Sequence, residues 1–169
     1  YGLTLLSDYG HADAVYRALT RTTQPGWGFW LANDISSMLE GWGLNARSWN
    51  HHYFALVSGW FYEGLAGIRP GSRGYADVVI RPALPTELDR AAGRIETPRG
   101  QVSSAWRREG EAVVLDVTIP GATRAEVWLA NGGERLRRAP RGTEYLRNEN
   151  GHAVYAAAPG LATFIFTQK

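Results

Sequence analysis

The sequence predicts an α+β fold in which helices come first and an antiparallel β-sandwich follows. Helix-spaced apolar stripes fill residues 1–70, whereas from Gly71 the chain breaks into short strands with a turn signal about every ten residues. The charge balance shifts at the same point. Residues 1–70 hold four basic and five acidic side chains, and residues 71–169 hold fourteen and eleven. Two domains are therefore expected, 1–70 helical and 71–169 stranded.

Ala12–Thr22 reads as the first clear helix. Asp13 stands near its start, where the helix dipole favours an acid. Ala14, Val15, Ala18 and Leu19 form its apolar stripe, and Gln24-Pro25-Gly26 ends it. Trp27–Ala32 reads as extended or irregular. Asp34 or Ser36 is a cap for a short helical turn leading to Glu40. Gly41, Gly43 and Asn45 then break regularity, which places Glu40 near a loop. His51–Ala66 reads as a second helix, with Asn50 as N-cap, Gly67 as stop and Pro70 beyond. Its apolar residues, from Tyr53 to Leu65, cover nearly all sides, the pattern of a buried helix. Residues 1–50 offer too few partners for it.

Gly71-Ser72-Arg73-Gly74 reads as a hinge. Strands are expected at Asp77–Arg81, Arg94–Thr97, Gln101–Arg107, Glu111–Ile119, Ala125–Ala130, His152–Ala157 and Thr163–Thr167. Turns fall at Pro98-Arg99-Gly100, Glu109-Gly110, Pro120-Gly121, Asn131-Gly132-Gly133 and Pro159-Gly160. Arg135, Arg137, Arg138 and Arg141 read as a solvated basic loop.

Composition narrows the function. A net charge of +2 gives no reason to expect nucleic acid or an anionic membrane as partner. With no cysteine, disulfides, thiolate chemistry and Cys-ligated zinc are excluded. No apolar run approaches the roughly 18 residues of a membrane span. The first twenty residues are not a signal peptide, because Asp8, His11 and Asp13 interrupt them. The compartment stays open between cytoplasmic and secreted. The chain begins on Tyr1 inside a helical pattern, which points to a fragment of a longer protein. No metal-ligand spacing, phosphate loop or nucleophile elbow occurs, so neither metal nor cofactor is expected.

The chemistry concentrates between Trp27 and Gly67, which hold five of the seven tryptophans, the adjacent His51 and His52, and the isolated acids Asp34 and Glu40. Such a stretch suits a pocket for a polar ring or, equally, a packed core. A carboxylate at Glu40, beside an aromatic wall, is expected to be partly desolvated and suited to acid–base work. The alternative is a surface acid at a helix end. His51 is expected on the first helical turn, reaching into a loop-built pocket. On a helix, His51 and His52 would point in different directions.

The order of residues carries more than any one of them. Trp27-Gly28 is followed by Ser36-Ser37-Met38-Leu39-Glu40-Gly41-Trp42, then Ser48-Trp49-Asn50-His51. Trp60-Phe61-Tyr62 and Leu65-Ala66-Gly67-Ile68-Arg69-Pro70 come next, and then Gly74-Tyr75 and Ile80-Arg81-Pro82. This order resembles the C-terminal part of bacterial α-L-rhamnosidases of glycoside hydrolase family 78. There, a Trp-Gly pair precedes Thr-Thr-x-Trp-Glu-x-Trp, Ser-x-Asn-His, Trp-Phe-Tyr and Leu-Ala-Gly-Ile-x-Pro. Two departures are visible: Leu39 stands where the family often has Trp, and the link from Glu40 to His51 is short.

The resemblance implies the terminal helices of an (α/α)6 barrel over 1–70 and a C-terminal β-sandwich over 71–169. It implies an inverting hydrolysis of α-L-rhamnosyl linkages, with Glu40 as general base, His51 contacting rhamnose and Trp42 lining the pocket. It places the general acid upstream, so the chain alone would be inactive. The expected partners are a rhamnose-containing glycoside, the missing upstream barrel segment and, through exposed helices, a second copy. The competing readings are a non-catalytic carbohydrate-binding or structural sandwich module, and part of a different (α/α)6 glycosidase.

Overall fold

The computed structural model describes residues 2–130 and 136–167. They form two compact units, Tyr1–Trp60 with Leu84–Glu87, and Phe61–Ala83 with Leu88–Lys169.

The first unit is helical. It contains α1 (Gly2–Asp8), α2 (Ala12–Thr20), α3 (Trp27–Ala32), α4 (His52–Ala55) and α5 (Val57–Trp60). Only Val15 and Leu19 of the α2 stripe are buried. Asp13 does more than meet the helix dipole. Its carboxylate accepts hydrogen bonds from the Thr86 backbone N–H at 2.6 Å and the Thr86 hydroxyl at 3.1 Å, fastening the returning segment Leu84–Glu87. Trp27–Ala32 is a helix, not the extended segment its aromatic content suggested. The reason is packing: helical spacing puts Trp27 and Trp30 on one core-facing side. Gly28 lets α3 approach α2, because a Cβ there would lie 2.5 Å from the Thr20 carbonyl oxygen.

The single helix expected over His51–Ala66 is broken. α4 and α5 are one turn each, and a π-helical turn at Phe61–Leu65 opens the second unit. Val57 and Trp60 are buried, and the Trp60 indole N–H donates to the Ser7 hydroxyl at 2.8 Å. Burial on every side is not found, since Tyr53 and Leu56 are 65% and 68% exposed.

The second unit is a ten-stranded sandwich: β1 (Ile68–Pro70), β2 (Asp77–Ile80), β3 (Arg90–Thr97), β4 (Gly100–Glu109), β5 (Ala112–Ile119), β6 (Arg124–Ala130), β7 (Leu136–Arg138), β8 (Thr143–Glu149), β9 (His152–Ala157) and β10 (Gly160–Thr167). One sheet runs β1-β2-β6-β9-β8 and the other β3-β4-β5-β10-β7. Pairing is antiparallel except between β2 and β6, which run parallel. Alternate residues line the core, among them Val102, Trp106, Leu115, Val117, Val127, Leu129 and Phe164. The turn at Asn131-Gly132-Gly133 and Arg135 lie outside the described residues. Leu136–Arg138, expected in a loop, form a strand.

Gly67 joins the π turn to β1. Its φ is +75°, and a Cβ would stand 2.2 Å from the Pro82 nitrogen, so only glycine fits. The expected hinge at Gly71–Gly74 is instead a fixed turn. The Gly71 and Ser72 N–H groups both donate to the Asp77 carbonyl, and the Ser72 hydroxyl accepts from the Asp77 N–H.

The outer face of the first sheet carries a charged network. The Arg147 guanidinium bonds both carboxylate oxygens of Glu126, at 3.0 and 2.9 Å, and Glu149 at 2.7 Å. It also lies over the Trp128 ring at 5.5 Å. Arg147 holds the Glu126 carboxyl below its ordinary value of 4.5, against the opposing effect of burial. A carboxyl whose pKa is depressed on folding stabilises above its unfolded pKa, and that stability is lost as pH falls through the folded one. Glu126→Gln should therefore destabilise by about 1 kcal/mol or less at pH 7, since the pair is part-exposed. The difference should shrink as pH falls below the ordinary carboxyl range and through the folded value, when both proteins are compared by calorimetry. An equal effect at every pH would show that the network contributes by packing alone.

Candidate active site

The three residues expected to carry chemistry all lie in the helical unit. Two segments run beside each other there, 37–40 and 47–51. The His51 N–H donates to the Met38 carbonyl at 2.7 Å, and the Glu40 N–H donates to the Ser48 carbonyl at 3.1 Å. The Ser37 hydroxyl donates to the Trp49 carbonyl. These bonds close the loop 41–46 and bring the backbone of Glu40 and His51 onto one small framework.

Glu40 sits in irregular backbone between Leu39, which is fully buried, and Gly41. Its side chain is exposed, so the expected desolvation by an aromatic wall is not found. The alternation of the chain explains this. Leu39 turns into the core and Glu40 turns out. The carboxylate is oriented all the same, because its Oε1 accepts from the Arg47 backbone N–H at 2.8 Å.

Trp42 lies over the cluster of Trp30, Ile35 and Leu39. It stacks on Trp30 with ring centroids 5.0 Å apart and meets Trp27 edge-on at 4.9 Å and Phe54 at 4.7 Å. The Trp27 indole N–H donates to the Phe54 carbonyl, tying the cluster to α4. Trp42 is half-buried, so it belongs to the core on one side and reaches the surface on the other.

His51 is not on the first helical turn. It occupies the N-cap position of α4 in extended backbone, with φ −117° and ψ 112°. Asn50, expected as the cap, precedes it. The extended conformation lets the His51 and His52 rings stack, 5.6 Å apart and 25° from parallel, instead of diverging as they would on a helix.

The backbone partners of Glu40, from Arg47 and Ser48, have no sequence signal. Trp49 is 52% exposed, and Phe61, expected on a buried helix, is 47% exposed. Elsewhere, in the sandwich unit, a cleft of about 440 Å³ is lined by Arg99, Thr123, Arg124 and small apolar residues. It offers guanidinium groups and no carboxylate, which does not suit acid–base hydrolysis. Among the described residues, no group of three or more His, Asp or Glu gathers as metal ligands. Among the described residues, no helix is long and apolar enough to cross a membrane.

Known families match both parts of the chain. Residues 1–65 match the bacterial alpha-L-rhamnosidase 6 hairpin glycosidase domain, and residues 67–144 match the bacterial alpha-L-rhamnosidase C-terminal domain. The chain belongs to the bacterial α-L-rhamnosidase family. An alpha-L-rhamnosidase of Streptomyces avermitilis is 34% identical over 96% of this chain and 17% of its own length. One from Alteromonas sp. (strain LOR) is 32% identical over 72% of this chain and 14% of its own. The crystal structure of the Streptomyces avermitilis α-L-rhamnosidase complexed with L-rhamnose superposes with a TM-score of 0.87 at 32% identity, covering 98% of this chain and 17% of that one. The chain thus spans less than a fifth of the length of these rhamnosidase relatives. The family that the order of the motifs implied is thus the one matched, with a glycosidase-domain segment followed by a C-terminal-domain segment.

Proposed function

We propose that this chain supplies one wall of the active site of an inverting α-L-rhamnosidase. Glu40 is the general base, His51 contacts the rhamnosyl ring and Trp42 lines the pocket beside them. The observation that carries this reading is the framework of segments 37–40 and 47–51. It joins the backbone of Glu40 to that of His51, with the Glu40 carboxylate exposed and held by the Arg47 N–H. The likeness to a rhamnosidase solved with L-rhamnose supports the substrate class.

In an inverting reaction one carboxylic acid protonates the leaving oxygen, and a second carboxylate draws a proton from water on the opposite face. An outward, water-accessible carboxylate fixed by one N–H bond suits the second role. The first role belongs, on this reading, to a barrel segment upstream of residue 1, so the chain by itself is inactive. Residues 1–65 are assigned to the end of the barrel and 67–169 to the sandwich, whose first strand β1 lies ahead of the expected boundary at residue 70. The exposed Tyr53 and Leu56 are assigned to contacts with the remaining barrel helices.

The reading is tested on the intact enzyme with an aryl α-L-rhamnoside, following the released sugar by NMR before mutarotation. β-L-Rhamnose should appear first. An α-anomer first would overturn inversion, and no hydrolysis of the rhamnoside would overturn the substrate class.

A further inference from the structure

One indole in the site region stands outside the aromatic cluster among the described residues. Trp27, Trp30 and Trp42 pack on one another, and Trp60 is buried. Trp49 is 52% exposed, and among the described residues no aromatic ring or guanidinium lies against it. It is nevertheless held in place. Its indole N–H donates to the Ala46 carbonyl at 3.0 Å, and its own carbonyl accepts from the Ser37 hydroxyl. Its neighbour Ser48 is bonded to Glu40, and His51, two residues on, is bonded to Met38.

A fixed, open indole in this position has limited chemistry. Its one donor is already engaged inside the loop, so it has no hydrogen bond to offer a ligand. What remains is a broad apolar face with a negative quadrupole. That face attracts the C–H side of a pyranose, and a deoxy sugar, with a methyl in place of one hydroxymethyl group, presents more apolar surface than most. Ligand pockets combine such apolar walls with a few placed polar groups, and Glu40 and His51 stand on the same framework as the polar complement.

We propose that Trp49 is a sugar-stacking residue, a platform for the apolar face of a 6-deoxyhexopyranoside beside Glu40 and His51. The proposal rests on the reading of Glu40 as general base. Stacking on the ring exists before and during reaction alike, so Trp49 acts on binding and not on the chemical step.

The test uses the intact enzyme with three variants, Trp49→Leu, Trp49→Phe and Glu40→Gln. Leucine keeps apolar bulk and removes the flat ring, so a packing role survives it and a stacking role does not. Trp49→Leu should raise KM for an aryl α-L-rhamnoside, and Kd for free rhamnose, about tenfold, with kcat within about threefold. Trp49→Phe should recover most of the binding. Unchanged KM and Kd in Trp49→Leu would overturn the proposal. So would a melting temperature lowered by several degrees in both Trp49 variants with binding intact, which would assign the ring to packing. A Glu40→Gln enzyme that stays active overturns the base assignment beneath it. An inactive Glu40→Gln enzyme beside unaltered Trp49→Leu binding overturns the Trp49 role alone.

Discussion

Glu40→Gln in the intact enzyme is expected to lower kcat by about 10²- to 10⁴-fold, the range that a positioned general base contributes. KM should change by less than about threefold. Glutamine has the shape of the carboxylate, and its amide oxygen still accepts from the Arg47 N–H that orients Glu40 at 2.8 Å. The loop and the aromatic cluster beneath it therefore persist, and the loss isolates the proton transfer from water. Initial-rate kinetics with an aryl rhamnoside provide the measurement. A variant within tenfold of the parent would remove Glu40 from the mechanism.

Trp106→Ala is expected to cause the largest loss of stability, about 3–5 kcal/mol. Trp106 is 1% exposed on β4, inside the sandwich. Its indole N–H donates to the Leu65 carbonyl at 2.9 Å, linking the π turn to the sandwich core. Alanine leaves both a cavity and a carbonyl without its partner. Trp106→Phe should fall between, because it keeps a buried aromatic ring while losing the bond and the smaller ring of the indole. Denaturant unfolding of the three proteins gives the comparison, and a loss below about 1 kcal/mol for alanine would show that the core refills the space.

Strands with apolar alternation were legible in the sequence. Val113, Leu115, Val117 and Ile119 all point into the core as their spacing predicted. β3 was read too short because Arg90-Ala-Ala-Gly has little strand propensity. It is recruited by its partner, with Arg90 opposite Arg107 and Gly93 opposite Ser104. β8 was missed because TEYLRNE is mostly polar and has no buried residue, and it forms only because it pairs with β9. In the helical unit the composition of Trp27–Ala32 was misleading, since bulky aromatics signal strand until a core is available to receive them on one helical face.

The candidate site was legible as a set of residue types and hardly at all as geometry. Glu40, Trp42 and His51 were found from motif order. That Glu40 is outward, that His51 is extended and that Trp49 is open go with hydrogen bonds to backbone carbonyls eight to thirteen residues away. Such carbonyls are common to every residue and leave no mark in the sequence.

The parallel pairing of β2 with β6 has a consequence for how the chain is made. β1 and β2 leave the ribosome as a hairpin with one edge bare, and their next neighbour in the sheet is not synthesised until β3, β4 and β5 have emerged. Those three strands pair through short turns and need no earlier partner. Synthesis therefore delivers one side of the second sheet, β3-β4-β5, before the first sheet can close, with β2 and its core residues Val78 and Ile80 on an open edge. A polypeptide arrested before Arg124 would carry that edge of β2 without its parallel partner.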